Sequence, residues 1–307
     1  MDADMDVNQI QAFAAIARTG NFSRAADALH RSQPAISRRI DQLTQELGAP
    51  LFERIGNQVM LTEAGTTLLP YAEAMLAAAK EGTEAVRALR GDDFGRLSLA
   101  LVGTLANAAF TNMLRGFKKR HPNVRVDVQT ANSREVGELV RRGDAALGLR
   151  YLSDNSPGIV SETVIREKLI VVCSREHRLA NRRTLRPRHF TGERWVAFRT
   201  GNAKEAFVQF LNRKLAAAGI DAPDVIIIDS LTAQKRLVEA NFGIALLAES
   251  GIEEEIRSGT LKKLSVPALE ASIPVSVIYR RNGYLNGAAR SFLSAVLNEA
   301  RRPQPSG

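Results

Sequence analysis

The 307-residue sequence predicts an α/β protein headed by a small helical domain, and three observations carry that expectation. The N-terminal stretch holds three short apolar stripes of helical period. One long stretch follows with apolar residues alternating three and four apart. From residue 95 onward, apolar runs of strand length alternate with amphipathic helical stretches, which is the pattern of α/β architecture. A chain of this length is expected to divide into two or three domains rather than to build one core.

The first helix is expected from Val7, Ile10, Phe13, Ala14 and Ala17, whose spacing gathers them on one face, and Gly20 ends it. Ser23 stands as an N-cap for a short helix over 24–29, whose alanines allow close crossing by a neighbour. After a break at His30 and Arg31, Ser32 is the next N-cap, with Pro34 in the first turn, where its missing N–H costs little. The third helix buries Ile36, Ile40, Leu43 and Leu47. Pro34, Arg38, Asp41 and Gln45 point the opposite way, flanked by Gln33, Ser37 and Gln42. Its first turns are thus short and polar, with Arg38 and Arg39 beside them, a shape that fits a DNA major groove. Gln reads adenine bidentately, Ser serves either base type, and Arg prefers guanine or phosphate. Gly48 closes the helix. Two short apolar runs around Gly56 and Asn57 then predict a small hairpin, a wing, with Arg54 at its base positioned for phosphate or the minor groove.

The run FSRAADALHRSQPAISRRIDQLTQELGAPLFER, followed by LTEAG, closely resembles the LysR-type transcriptional regulators over residues 7–66. The resemblance implies a cytoplasmic, homo-oligomeric regulator that binds an imperfect inverted repeat in double-stranded DNA and answers a small co-inducer. By position it assigns DNA contacts to Ser23, Arg24, Ser32, Gln33, Pro34, Ser37, Arg38 and Arg54, with Arg31 and Arg39 as further candidates.

A long helix is expected over 62–90, capped by Thr62, with Leu68, Ala72, Met75, Ala79, Gly82, Val86 and Leu89 forming an a/d-type seam. Three of these seven positions are Ala or Gly, so the seam is thin and permits close approach. It serves either to pair two chains or to lay the helix on its own domain; the resemblance favours pairing. Paired heads would set two recognition helices about one DNA turn, or a multiple, apart.

A hinge at Gly91, Asp92, Asp93 and Gly95 opens the remaining two-thirds. Strands are expected at 97–102, 124–128, 145–149, 169–173, 195–198, 225–228 and 274–279, and helices before 121 and over 135–142, 203–218, 231–240 and 287–301. The stretch resembles the family's effector domain, a periplasmic-binding-protein-like pair of α/β lobes, with crossings implied near 162–166 and 266–271. The expected organisation is a head over 5–62, a linker over 63–91, and an effector domain over 95–302, with lobe one at 95–162 and 271–302 and lobe two at 167–266. Two departures from the family pattern, Ala146 in GDAALGL and Ala248 in NFGIALLAES, bear on ligand assignment. Open α/β lobes bind ligands at strand C-termini and helix N-termini, which selects Thr104, Asn132 and Ser133 in lobe one and Thr200, Gly201 and Asn202 in lobe two, with Asn241 and Phe242 beyond them. Arg150 and Arg199 lie beside these positions and suggest an anionic effector.

Composition bounds the alternatives. The net charge is +9, yet residues 1–90 hold nine Lys/Arg against eleven Asp/Glu, so the basic excess lies outside the head. An arginine-rich stretch, with Arg175, Arg178, Arg182, Arg183, Arg186, Arg188 and Arg194, reads first as a solvated face and second as a contact for DNA backbone or another subunit. The four histidines, His30, His121, His177 and His189, lack metal-ligand spacing, and Cys173, the sole cysteine, sits in an apolar run. No catalytic or dinucleotide motif is present, so neither an enzyme nor a cofactor or metal site is expected. The acidic start MDADMD and the shortness of the apolar runs predict neither a signal peptide nor a membrane span, hence a cytoplasmic protein. The expected function is a sequence-specific DNA-binding regulator modulated by a small effector, working as a homodimer or homotetramer, with RNA polymerase a further partner. The alternatives are a solute-binding protein or a ligand-independent DNA-binding regulator.

Overall fold

The computed structural model describes residues 5–56, 58–89, 95–198, 206–221 and 223–300. The chain forms two compact units, one drawn from residues up to 93 with short segments at 141–144 and 280–286, the other from the rest.

In the first unit, α1 (Val7–Thr19) starts at Asp6, whose side chain accepts from Asn8 N–H, while the Gln9 amide reciprocates at the Asp6 backbone, and it ends at Gly20 in the left-handed region. Its buried face is Gln9, Ile10, Ala12, Phe13, Ala15 and Ile16, so the stripe is rotated from the one expected, and Val7 is exposed. The helix α2 (Phe22–Ala28) is capped by Asn21, which accepts from Arg24 N–H at 3.0 Å; Ser23 lies inside the helix and is not its cap. His30 takes φ 52 in the turn that follows, a left-handed conformation that a non-glycine residue adopts at some cost. The helix α3 (Gln33–Leu47) buries Ile36, Ile40 and Leu43 and ends at Gly48. The wing is β1 (Phe52–Ile55) paired antiparallel with β2 (Gln58–Leu61). The Phe52 ring lies 5.3 Å from Phe13 and 6.0 Å from Phe22, which fastens the wing to the helices. Asn57, the second residue of the expected turn, lies outside the described residues.

The helix α4 (Glu63–Leu89) is 27 residues long and follows Thr62, whose hydroxyl accepts from Gly65 N–H at 3.1 Å. Gly65 is required where it stands, because a methyl there would press on the Leu51 carbonyl oxygen and the Leu61 side chain. Leu68, Leu69, Ala72 and Leu76 pack on the core of the head, so the first half of the helix does lie on its own domain. Of the expected seam, Met75 and Val86 are 39% and 56% exposed, with Ala79 and Gly82 exposed between them. The hinge glycine and aspartates at 91–93 lie outside the described residues.

The second unit is α/β. The strands β3 (Arg96–Val102), β4 (Arg125–Ala131) and β5 (Leu147–Tyr151) run parallel, joined by α5 (Ala108–Arg120) and α6 (Ser133–Arg141). The strand β6 (Ile159–Ser174) then runs unbroken for 16 residues, so the first crossing between lobes falls inside a strand rather than in a connecting segment. Lobe two adds β7 (Arg194–Phe198), α7 (Ala206–Ala217), β8 (Asp224–Ile228), α8 (Leu231–Glu239), β9 (Ala245–Ala248), α9 (Glu253–Ser258) and β10 (Leu261–Leu264). The chain returns through β11 (Ala271–Arg280), antiparallel to β5, and ends in α10 (Gly287–Ala300). The strand order is β10-β6-β11-β5-β3-β4 with β9 also on β6, while β7 and β8 form a separate parallel pair. In lobe two the core centres on Trp195, Phe190, Leu211, Leu215 and Ile244, all essentially inaccessible. In lobe one Phe117 meets Phe292 edge to face at 5.3 Å, which holds α10 on α5.

Candidate nucleic-acid interface and effector cleft

Burial of Ile36, Ile40 and Leu43 fixes which side of α3 faces outward. That side carries Gln33, Pro34, Arg38, Asp41, Gln42 and Gln45, all exposed, with Ser37 and Arg39 half-buried at its margins. Ser32 occupies the N-cap position without a side-chain capping bond, so its hydroxyl is not spent on its own helix. Ser23 and Arg24 are exposed on the first turn of α2, Arg31 precedes α3, and Arg54 projects from the middle of β1 opposite Val59. Among the described residues, Arg24, Arg31, Arg38 and Arg54 have no acidic partner within ion-pair distance, which leaves them available to phosphate. The positive end of the α3 dipole adds to that attraction.

In the second unit, β3, β4 and β5 end at one edge of the sheet, since Val102 pairs with Ala131 and Leu101 with Leu149. Just past that edge stand Thr104, Asn132, Ser133 and Tyr151. Asn132 caps α6 through the Arg134 and Glu135 N–H groups at 3.1 and 3.0 Å, and the Glu135 carboxylate returns to the Asn132 N–H. A polar network crosses from this edge to lobe two. The Thr104 hydroxyl donates to the Tyr151 oxygen at 2.8 Å, and Tyr151 donates to Glu167 Oε2 at 2.8 Å. The Ser250 hydroxyl donates to Glu167 Oε1 and accepts from Asn107 Nδ2, the latter at 3.1 Å. Glu167, in the middle of β6, is only 7% exposed. Burial and the Glu167 carboxylate raise the Tyr151 phenol well above its ordinary value, so it stays a hydrogen-bond donor.

Other sequence-selected positions fall elsewhere. Asn241 and Phe242 precede β9, whereas Ser250 follows it, so they stand at the opposite edge of lobe two and do not meet Thr104. The cause is strand direction: Trp195 pairs parallel with Ile244, which sends only the C-terminal end of β9 to the edge that β7 also ends on. Thr200, Gly201, Asn202 and Arg199 lie outside the described residues. Arg150 is held by Asp154 at 2.5 Å, with side chains 16% and 5% exposed, so it is not a free anion receptor. Asn107, Tyr151, Glu167 and Ser250 were not foreseen from the sequence. Cys173 is fully buried, and burial together with the Glu193 carboxylate pushes its thiol up to about 12. Among the described residues, no group of three His, Cys, Asp or Glu is placed to hold a metal, and no helix is long and apolar enough to cross a membrane.

Comparison with known proteins bears on both units. Residues 7–66 match the model for the bacterial regulatory helix-turn-helix protein, lysR family, and residues 90–301 match the LysR substrate binding domain. The chain belongs to the LysR family of transcriptional regulators. Its relatives include the RuBisCO operon transcriptional regulator of Allochromatium vinosum, 28% identical over 298 residues and 97% of each chain. The HTH-type transcriptional activator CmpR of Synechocystis is 26% identical over 94% of this chain and 93% of its own. Among solved structures, CbnR, a LysR family transcriptional regulator, aligns over 97% of this chain and 100% of its own, with a TM-score of 0.65 and 25% identity. Full-length CbnR complexed with its target DNA aligns with a TM-score of 0.61, also at 25% identity, over 96% of this chain and 100% of its own. This LysR-family chain is therefore a DNA-binding transcription regulator whose C-terminal domain is built to modulate it through a small effector.

Proposed function

We propose that this LysR-family regulator reads an imperfect inverted repeat through α3 of each subunit, with Gln33, Ser37 and Arg38 at base edges. Ser23, Arg24, Arg31, Ser32, Arg39 and Arg54 hold the phosphate backbone around them, and Pro34 adds an apolar contact in the groove. The observation that carries this reading is the division of α3 into one buried apolar face and one exposed, largely polar face. In this reading residues 5–62 are the head, 63–91 the linker and 95–302 the effector domain, with lobes at 95–162 with 271–302 and at 167–266. The exposed stretch of the α4 seam pairs two subunits, as a dimer or within a tetramer.

The effector, a small co-inducer, sits against Thr104, Asn132 and Ser133, with Thr200, Gly201 and Asn202 completing its site from lobe two. The anionic character suggested by the sequence now rests on Arg199, because Arg150 is paired with Asp154. Regulation is non-enzymatic, takes place in the cytoplasm, and is delivered to RNA polymerase.

Footprinting on the DNA upstream of the chain's own gene tests the interface. Gln33→Ala removes one base-edge interaction and lowers specific affinity by about 5- to 150-fold while leaving random DNA binding in place, equivalent to about 1–3 kcal/mol. Arg54→Ala weakens binding to all sequences alike. An unchanged footprint for Gln33→Ala takes that residue out of the readout.

A further inference from the structure

Residues 175–194 of lobe two hold seven arginines against two glutamates, a net of +5 in twenty residues, more than half of the whole chain's +9. All seven arginines are exposed. Three of them face acids, as Arg175 lies 3.9 Å from Glu176, Arg178 reaches Glu193, and Arg194 lies 2.6 Å from Asp224. Arg182, Arg183, Arg186 and Arg188 have no acidic partner within ion-pair distance among the described residues.

The segment that presents them is anchored, unlike a solvated charged tail. Leu179 and Phe190 are fully buried, and Phe190 packs on Trp195 with ring centroids 6.3 Å apart. Backbone bonds close tight turns at each end, from Arg182 N–H to Leu179 at 3.1 Å and from His189 N–H to Arg186 at 2.9 Å. The Arg186 N–H also donates to His189 Nδ1 at 3.1 Å, and Arg178 donates to the His189 carbonyl at 3.2 Å. Burial, and the fields of Arg182, Arg188, Arg186 and Arg178 after it, hold the His189 imidazole below its ordinary value, which reports how closely the cations gather.

Cations crowded on a fixed surface repel one another, and a polyanion relieves that repulsion. DNA is the polyanion that this family of regulators already grips, so the patch meets it at high effective concentration. The head supplies little long-range attraction itself, because residues 5–62 carry a net charge of only +1, and residues 1–90 together carry −2. We propose that Arg182, Arg183, Arg186 and Arg188 form a second, sequence-independent contact of this chain with the phosphate backbone of duplex DNA. It rests on the DNA-binding reading and extends it from the winged helix to the effector domain.

The test uses the full-length chain and a labelled random-sequence duplex about 60 base pairs long, with affinity measured across salt concentrations. Replacing the four arginines together by Gln should make the plot of log affinity against log salt less steep by about 2–4, at about 0.9 for each phosphate no longer neutralised. Replacing the same four by Lys should retain most of the slope, which separates missing charge from a damaged fold. Gln33→Ala should leave the slope on this duplex unchanged. A slope for the Gln variant within about 0.5 of the parent, which is less than one phosphate's worth, overturns the proposal. So does a shift in oligomeric state by sedimentation in the Gln variant, since the patch would then join subunits. If the parent itself does not bind the duplex, the DNA-binding reading falls first and this proposal with it.

Discussion

Tyr151→Phe probes the polar network that joins the two lobes. The substitution keeps the ring and deletes one O–H, so Glu167 Oε2 loses the donor at 2.8 Å and the Thr104 hydroxyl loses its acceptor. Glu167 is only 7% exposed, so water does not readily replace that donor, although Ser250 still serves the other carboxylate oxygen. Leaving a buried acceptor one donor short costs about 1–3 kcal/mol, and the retained Ser250 bond argues for the middle of that range, about 2 kcal/mol. For a domain of 150–250 residues this lowers the melting temperature by about 4–8 °C. Calorimetry of the full-length chain reads it, and a double-mutant cycle with Thr104→Val should return a coupling above about 0.5 kcal/mol. The pH dependence has a definite sign. The folded state keeps the Tyr151 proton above the ordinary value of 10.0 while the unfolded state releases it. The contribution is therefore complete below that value and is lost as pH rises beyond it, so the gap between parent and variant narrows at alkaline pH. A melting temperature unchanged by Tyr151→Phe refutes the network as a link between lobes, and strict additivity with Thr104→Val removes Thr104 from it.

Gly65→Ala should destabilise the head by about 1–3 kcal/mol, because the added methyl meets the Leu51 backbone, which cannot swing aside as a side chain can. The variant should melt earlier and bind all DNA more weakly, and a variant as stable as the parent contradicts the close approach. Cys173 should resist iodoacetamide at about pH 8 in the native chain and react once unfolded, since its thiol is raised and enclosed. Rapid native labelling, or a loss of DNA binding in mild peroxide that Cys173→Ser abolishes, would show an open and reactive thiol instead.

What could be read from the sequence was whatever depends on neighbours along the chain. Gly20 and Gly48 end their helices as expected, Pro34 sits in a first turn, and the stripe Ile36, Ile40 and Leu43 fixes the outward face of α3. Where reading failed, distant residues decide. Asn21 and Ser23 are both good caps; Phe22 packs its ring on Phe52 of the wing, so the helix begins at Phe22 and Asn21 takes the capping position. The resemblance implied a crossing between lobes near 162–166, yet β6 runs extended through that stretch from Ile159 to Ser174. The network around Glu167 had no local signal at all, because Ser250 is 83 residues from Glu167 and Thr104 is 47 from Tyr151. Asn241 and Phe242 were selected as positions beyond the lobe-two candidates, and the sequence alone does not say that they precede β9 rather than follow it.

The helix α4 has two different tasks along one continuous length. Leu68, Ala72 and Leu76 are committed to the head, while Val86 on the later turns stays exposed. A helix turns about 100° per residue, so the number of residues between the two stretches sets the azimuth at which a head meets any partner held by the later turns. Adding one residue there would swing the reading face of α3 by more than a quarter turn, whereas adding seven would nearly restore it. The length of that segment thus acts as a phase setting, and drift within it would be corrected by whole heptads rather than by single residues.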